Sequence, residues 1–296
     1  MGRVLVVGSS NYDLVWRCER LPQKGETVAG NSFATFMGGK GANQAVACAR
    51  AGAEVAFCGC VGRDSFGDQM RAAIESAGVD VGHLSRSDTP SGTAAVLVED
   101  SAANQIVVAL GANLELSGES VEAAVAQFRP EYILAQMEIP LEALRAASRL
   151  GAKFVLNPAP AQALDAELVS QCYAVVPNES ELNLVVPGLF GDDAVEALLQ
   201  MGAQNVVVTL GEKGAVWATA TTLVEVDGYP MAAVDTVGAG DVFCGAMVAA
   251  LSNGETFESA VRFANAAAGI SVTRHGAQAS APERAEVLAL MMSQQN

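Results

Sequence analysis

Short apolar runs ending in glycine or a polar residue recur along the chain: Arg3–Gly8, Val55–Cys60, Tyr132–Ala135, Phe154–Leu156, Ala174–Val176 and Asn205–Leu210. Runs this short, with no polar alternation, predict strands buried on both faces of a sheet. Between them lie stretches with helical spacing: Ala42–Ala51, Phe66–Ala77, Leu141–Leu150 and Asp192–Met201. Each is followed at once by a glycine, namely Gly52, Gly78, Gly151 and Gly202, where a helix C-terminus favours a left-handed residue. Strands alternating with helices predict an α/β fold, a doubly wound and mainly parallel sheet flanked by helices.

Two segments interrupt the alternation. Trp16–Phe36 carries strand-like pieces with Gly25, Gly30 and a single proline, and Gly92–Gly111 reads as two short strands around the polar turn Glu99–Asn104. Adjacent strands with no helix between them predict a small β sheet projecting from the main one. It is expected to form a lid, built from inserted segments about 14–36 and 92–111 of one domain spanning 1–296. The turn lacks a glycine, which leaves its geometry open.

Charge narrows the partners. Seventeen basic residues against 33 acidic ones give a net charge of −16. Such a chain offers no electrostatic footprint for nucleic-acid backbones or anionic lipid. A phosphorylated ligand would have to be held locally, by backbone N–H groups. Hydrophobic residues make up 51%, enough for a sizeable core. No apolar run approaches a membrane span and no apolar leader follows Met1, so a soluble cytoplasmic protein without membrane contact is expected. Six cysteines sit mostly in apolar runs, with only His83 and His275 for company, which predicts buried free thiols rather than a zinc site.

Two glycine-rich segments carry candidate chemistry. In Asp235–Asp241 (Asp-Thr-Val-Gly-Ala-Gly-Asp) the glycines open an apolar helix. The first turn of such a helix presents free N–H groups and the positive end of the dipole, an anion hole made without a cationic side chain. Asp241 at its edge is placed to accept a proton from a hydroxyl attacking a phosphoryl group; an acidic residue that merely complements the dipole fits the spacing equally well. In Gly38–Ala45 glycines again feed a helix, but no Ser or Thr follows Lys40 as a Walker loop requires, and Val7–Asn11 lacks the GxGxxG dinucleotide fingerprint. On spacing alone, Lys40 and Asn43 either hold a ligand or sit in a packed turn with Lys40 in solvent.

Gly38–Gly62 and Asp235–Val248 resemble the two signatures of the ribokinase (PfkB) family of carbohydrate kinases. The match continues through Gln136–Glu138, Asn157–Pro160, Pro177–Glu181, Thr209–Gly214 and Thr273–Gln278, and so spans almost the whole chain. Within the family the ribose-phosphorylating members are the nearest match. The resemblance implies ATP-dependent phosphorylation of D-ribose at the 5-hydroxyl, giving D-ribose 5-phosphate and ADP; deoxyribose, fructose or a nucleoside as acceptor, or a non-catalytic sensor, are the alternatives. It implies Asp241 as catalytic base and Gly238, Ala239 and Gly240 as the anion hole. Asn11, Asp13, Gly39, Lys40, Asn43 and Glu138 match sugar contacts. Asn178, Thr209, Gly211, Gly214, Gly240 and Asn265 match the nucleotide side. Glu181 matches a residue that acts on Mg²⁺, through water. Asp235, Val237, Ser271, Arg274, Gly276 and Ser280 match the site of an activating K⁺, mostly through backbone carbonyls, whereas His275 reads as an exposed loop residue. Ala94 and Val96 match the small apolar lid positions over a pentose. The family also implies a homodimer clasped through the lid, to which Trp16 would contribute if it is not a core residue.

Overall fold

A computed structural model of the chain describes residues 2–99, 101 and 103–294, with only the backbone of Asn104. The turn at Glu99–Asn104 therefore falls partly outside the described residues. In chain order the first elements are β1 (Arg3–Val7), β2 (Asn11–Cys18), β3 (Gly30–Gly38), α1 (Lys40–Arg50), β4 (Glu54–Gly62), α2 (Ser65–Ser76), β5 (Leu84–Ser87), β6 (Gly92–Glu99) and β7 (Asn104–Ala109). There follow α3 (Gly118–Phe128), β8 (Tyr132–Ala135), α4 (Leu141–Ser148), β9 (Lys153–Leu156), α5 (Ala166–Val169), β10 (Cys172–Val175), α6 (Glu179–Val185) and α7 (Gly191–Gln200). The last are β11 (Val206–Thr209), β12 (Gly214–Ala218), β13 (Leu223–Asp227), α8 (Ala239–Ser252), α9 (Phe257–Ser271), α10 (Ala277–Ser280) and α11 (Arg284–Ser293).

The main sheet has nine strands in the order β13-β12-β11-β10-β9-β8-β1-β4-β5. From β11 to β5 every pairing is parallel; β12 and β13 complete one edge as an antiparallel hairpin. The apolar runs are buried on both faces because each face carries its own core. Val4 and Val6 of β1 join one cluster with α1, α8 and α9; Leu5 and Val7 join the other with α3, α4 and α7. The four expected C-terminal glycines all take positive φ, between 78° at Gly151 and 109° at Gly202. All six cysteines are buried free thiols, and Cys58 and Cys60 face the same cluster.

A second sheet of four strands, β3-β2-β6-β7, stands apart from the first. It begins at Asn11 and runs to Gly38 in the first segment, slightly wider than the sequence suggests, and ends at Ala109 in the second, slightly short of it. Pairing register puts Asp13, Phe36, Ala94 and Val108 in one row across it, and Val15, Ala34, Val96 and Ile106 in the next row on the same face. Tyr12, on the opposite face, stacks on Phe66 of α2 with ring centroids 4.3 Å apart, which seats the sheet's root on the body. Further out, Trp16 lies against Phe33 at 5.0 Å, and Phe33, Ile106 and Val107 are more than half exposed. Among the described residues no helix is long and apolar enough to cross a membrane.

Candidate active site

Polar residues gather where the parallel strands end. Ser9 to Asn11 follow β1, Gln136 to Glu138 follow β8, Asn157 follows β9 and Asn178 follows β10. That edge of an open α/β sheet is where its crevice for ligands lies. α8 arrives at the same edge. It is buried on all sides, and its N-cap, Gly238, has φ 78° and no side-chain cap. A side chain at Gly238 would also strike Ala277, with Cβ atoms 2.7 Å apart. The first turn of α8 therefore lines a cavity of ≈ 170 Å³ with Gly238, Ala239, Gly240 and Asp241; Lys40, Asn178, Glu181 and Thr209 lie in the same wall.

Asp241 does not cap its own helix. Its Oδ2 accepts from Asn43 Nδ2 at 2.9 Å and its Oδ1 from Gln44 Nε2 at 2.9 Å, both from α1. Gly245 permits this: a Cβ there would come within 2.5 Å of Gln44 O, so only glycine lets α1 and α8 approach so closely. Of the two readings left open for Lys40, a ligand contact or a packed turn with the lysine in solvent, the structure favours the first by position. Lys40 is half-buried and lines the cavity. Burial opposes its charge, but Asp241, Glu138 and Glu181 outweigh that and hold the ammonium above its ordinary range.

Asn178 and Glu181 form a capping box at the start of α6. Asn178 Oδ1 accepts from Glu181 N at 2.8 Å, and Glu181 Oε2 accepts from Asn178 N at 2.9 Å. They are thus helix caps and cavity residues at once. Burial pushes the Glu181 carboxyl up, against the pull of the Asn178 N–H and Lys40. Gly211 and Gly214 flank a 3₁₀ turn leading into β12, both with positive φ. Asn265 is committed structurally: its Nδ2 donates to Val226 O at 3.0 Å and Asp227 O at 3.1 Å, tying α9 to β13.

At the other end, Glu138 Oε2 accepts from the Lys40 backbone N–H at 3.1 Å and from Ser9 Oγ. Gly39, with φ 87°, closes on Ser10 and Asn11. Asp13 is pushed up to about 7 by burial and then by the nearby Glu138 charge. The segments around Asp235 meet: its Oδ1 accepts from Val237 N and its Oδ2 from Gly276 N, both at 3.0 Å. The hydroxyls of Ser271 and Ser280 are turned to carbonyls of their own helices, and Arg274 pairs with Glu286. His275 is exposed, 3.9 Å from Asp235.

The pfkB family carbohydrate kinase model matches residues 1–284. The chain belongs to the pfkB family of carbohydrate kinases. A ribokinase of Haemophilus influenzae is 40% identical over 294 residues, 96% of each chain. A deoxyribokinase of Salmonella typhi is 36% identical, over 94% of this chain and 95% of the relative. Among solved structures, a ribokinase of Thermotoga maritima superposes with a TM-score of 0.93 at 36% identity, covering 99% of this chain and all of the other. An Arabidopsis thaliana ribokinase complexed with ribose and ATP gives 0.88 at 31% identity, over 98% and 99%.

Several residues around this kinase's cavity had no role assigned from the sequence, although Gln44, Gln136 and Asn157 lie within its motifs. Gln44, Asn157 and Gln136 join Asp241 in one buried hydrogen-bonded chain. Asn113, fully buried, donates to Asn11 Oδ1 at 2.8 Å and to the Ser10 and Leu110 carbonyls, linking the two ends of the small sheet. The signal available was an amide placed just after, or packed against, an apolar strand's C-terminal end.

Proposed function

We propose that this carbohydrate kinase transfers the γ-phosphoryl group of ATP to the 5-hydroxyl of D-ribose. The observation that carries the reading is Asp241, fixed by two amides beside the uncapped first turn of α8 and across from Lys40. As the hydroxyl oxygen attacks the γ-phosphorus, its proton passes to Asp241, and the bond from phosphorus to the ADP oxygen breaks. The N–H groups of Gly238 to Gly240 and the Lys40 ammonium receive the charge on the phosphoryl oxygens. Asn11, Asp13, Gly39, Lys40, Asn43 and Glu138 hold the sugar. Thr209, Gly211, Gly214, Asn178 and Asn265 bound the nucleotide.

Mg²⁺ fits beside Glu181, whose Oε2 is engaged with Asn178 while its other oxygen has no partner among the described residues. A single carboxylate suits an ion that keeps most of its waters. The ion would neutralise phosphate charge. Asp235, Val237, Ser271, Arg274, Gly276 and Ser280 offer a carboxylate and backbone carbonyls of the hard-oxygen kind K⁺ takes. The four-stranded sheet serves as lid, and its exposed face of Phe36, Ile106 and Val108 supports a homodimer through it.

The deoxyribokinase similarity favours a second reading, 2-deoxyribose as acceptor. ADP release from Mg·ATP is the test, with D-ribose, 2-deoxyribose, fructose, adenosine and no sugar, in potassium and in sodium buffer. Ribose is expected to lead, faster in potassium. A rate led by 2-deoxyribose replaces the substrate; equal rates in the two buffers remove the cation; silence with every sugar removes the reading.

A further inference from the structure

The two amides on Asp241 differ in how firmly they are held. Gln44 is fully buried and all its amide positions are used. Its Nε2 donates to Asp241 Oδ1 at 2.9 Å and to Asn157 Oδ1 at 3.0 Å, and its Oε1 accepts from Gln136 Nε2 at 2.6 Å. The orientation is anchored in the main chain: Asn157 Nδ2 donates to the Val176 carbonyl at 2.9 Å, which turns Asn157 Oδ1 toward Gln44 and so turns the Gln44 nitrogen toward Asp241. Val176, Asn157 and Gln136 follow the neighbouring central strands β10, β9 and β8. Asn43 is not locked in this way. Its Nδ2 meets Asp241 Oδ2, but its Oδ1 is buried with no partner.

We infer that Gln44 is a positioning residue that hangs Asp241 Oδ1 from the ends of the central strands, and that Oδ2 is therefore the oxygen that takes the substrate proton. The inference rests on Asp241 being the base. A proton on Oδ1 would face a locked N–H donor with no lone pair to receive it. A proton on Oδ2 faces Asn43, whose amide can turn to present its orphan Oδ1 as an acceptor. In the reaction the sugar O–H bond breaks, the new O–H bond forms at Oδ2, and Oδ1 keeps its N–H from Gln44 throughout. A base held this way stays in line with the hydroxyl at no cost in reorganisation, and loss of such alignment costs about 10²-fold.

The test compares Gln44→Leu and Gln44→Met with the parent, in kcat, in KM for ribose and for ATP, and in melting temperature. Gln44→Met keeps the length and nearly the volume of the side chain without adding charge beside Asp241, but removes both donors, so a role in packing alone would leave it active. Both variants are expected to lose about 30-fold or more in kcat, within the 10²-fold scale of misalignment, with each KM within about threefold of the parent. The Met variant decides the matter should the Leu variant fail to fold. A folded variant with kcat within threefold of the parent overturns the inference, as does a rise in ribose KM at constant kcat. Asp241→Asn is run alongside. If it keeps its turnover, the base assignment falls and this inference with it; if it loses turnover while the Gln44 variants do not, only the anchor falls.

Discussion

Asp241 and Asp13 are both withdrawn from solvent, yet the protein treats their carboxyl groups in opposite ways. Asp241, on α8 against the main sheet, has an amide donor on each oxygen. Asp13, on β2 of the small sheet, receives no hydrogen bond among the described residues. Gly38 crowds it so closely that a Cβ there would lie 2.2 Å from Asp13 Oδ2. Its carboxyl is pushed up to about 7 by burial and by Glu138. One carboxyl is held by an amide donor on each oxygen; the other is buried without a hydrogen-bond donor among the described residues.

The sharpest break of this contrast is Asp241→Asn. It should lower kcat by about 10³-fold, the usual scale for a lost general base, and leave ribose binding within a few-fold, because the amide keeps the shape. ADP release and ribose calorimetry measure the two. Turnover above a few per cent of the parent would dissolve the distinction between the two aspartates.

Asp13 should show its difference through pH. Sugar hydroxyls donate to the ionised carboxylate, so binding favours loss of the proton. Ribose affinity, measured by calorimetry without nucleotide, should be flat above about pH 7 and weaken by up to tenfold per unit below it. Glu138 is the charged neighbour that acts on it, and the Asp13→Asn variant removes the trend if Asp13 is its source. A ribose affinity independent of pH between 5 and 8 would mean that the sugar does not use the Asp13 carboxylate.

How much of this was legible in the sequence follows from what sets each feature. The apolar runs with their closing glycines gave away the strands, the helix ends and the alternation, because those are local. The paired strands of the inserted segments were visible for the same reason. The glycines around Asp241 marked a helix start open to a ligand. The support of Asp241 was not visible. Gln44, Gln136 and Asn157 come from three elements and carry no shared spacing; they meet only because β9, β8 and β1 are neighbours and because Gly245 lets α1 settle on α8. The hairpin β12–β13 was also missed, since the run of parallel strands gives no sign of where it ends. Asn178 and Glu181 are helix caps and cavity-wall residues at once, since the same bonds that cap α6 leave them in the wall.

The smallest effect concerns stability, and it separates the two aspartates even without substrate. Folding raises the Asp13 carboxyl from its ordinary 3.8 to about 7, so the folded state binds the proton more tightly than the unfolded chain does. The stability linked to that proton is complete below about pH 4 and is lost as pH rises through about 7. Asp13→Asn has no proton to lose. Its melting temperature should therefore draw ahead of the parent's from pH 4 upward and hold a constant lead above pH 7. Roughly 2–5 °C is expected at pH 8, after allowing for partial exposure to solvent. Thermal melts at pH 5 and pH 8 are sufficient, since a lead equal at both would tie the gain to shape rather than to charge. Asp241→Asn should show no such gain, because it exchanges an oxygen that accepts an N–H for a nitrogen that cannot. A variant at position 241 that stabilised the protein as much as one at 13 would mean that Asp241 too is held in the cavity at the fold's expense.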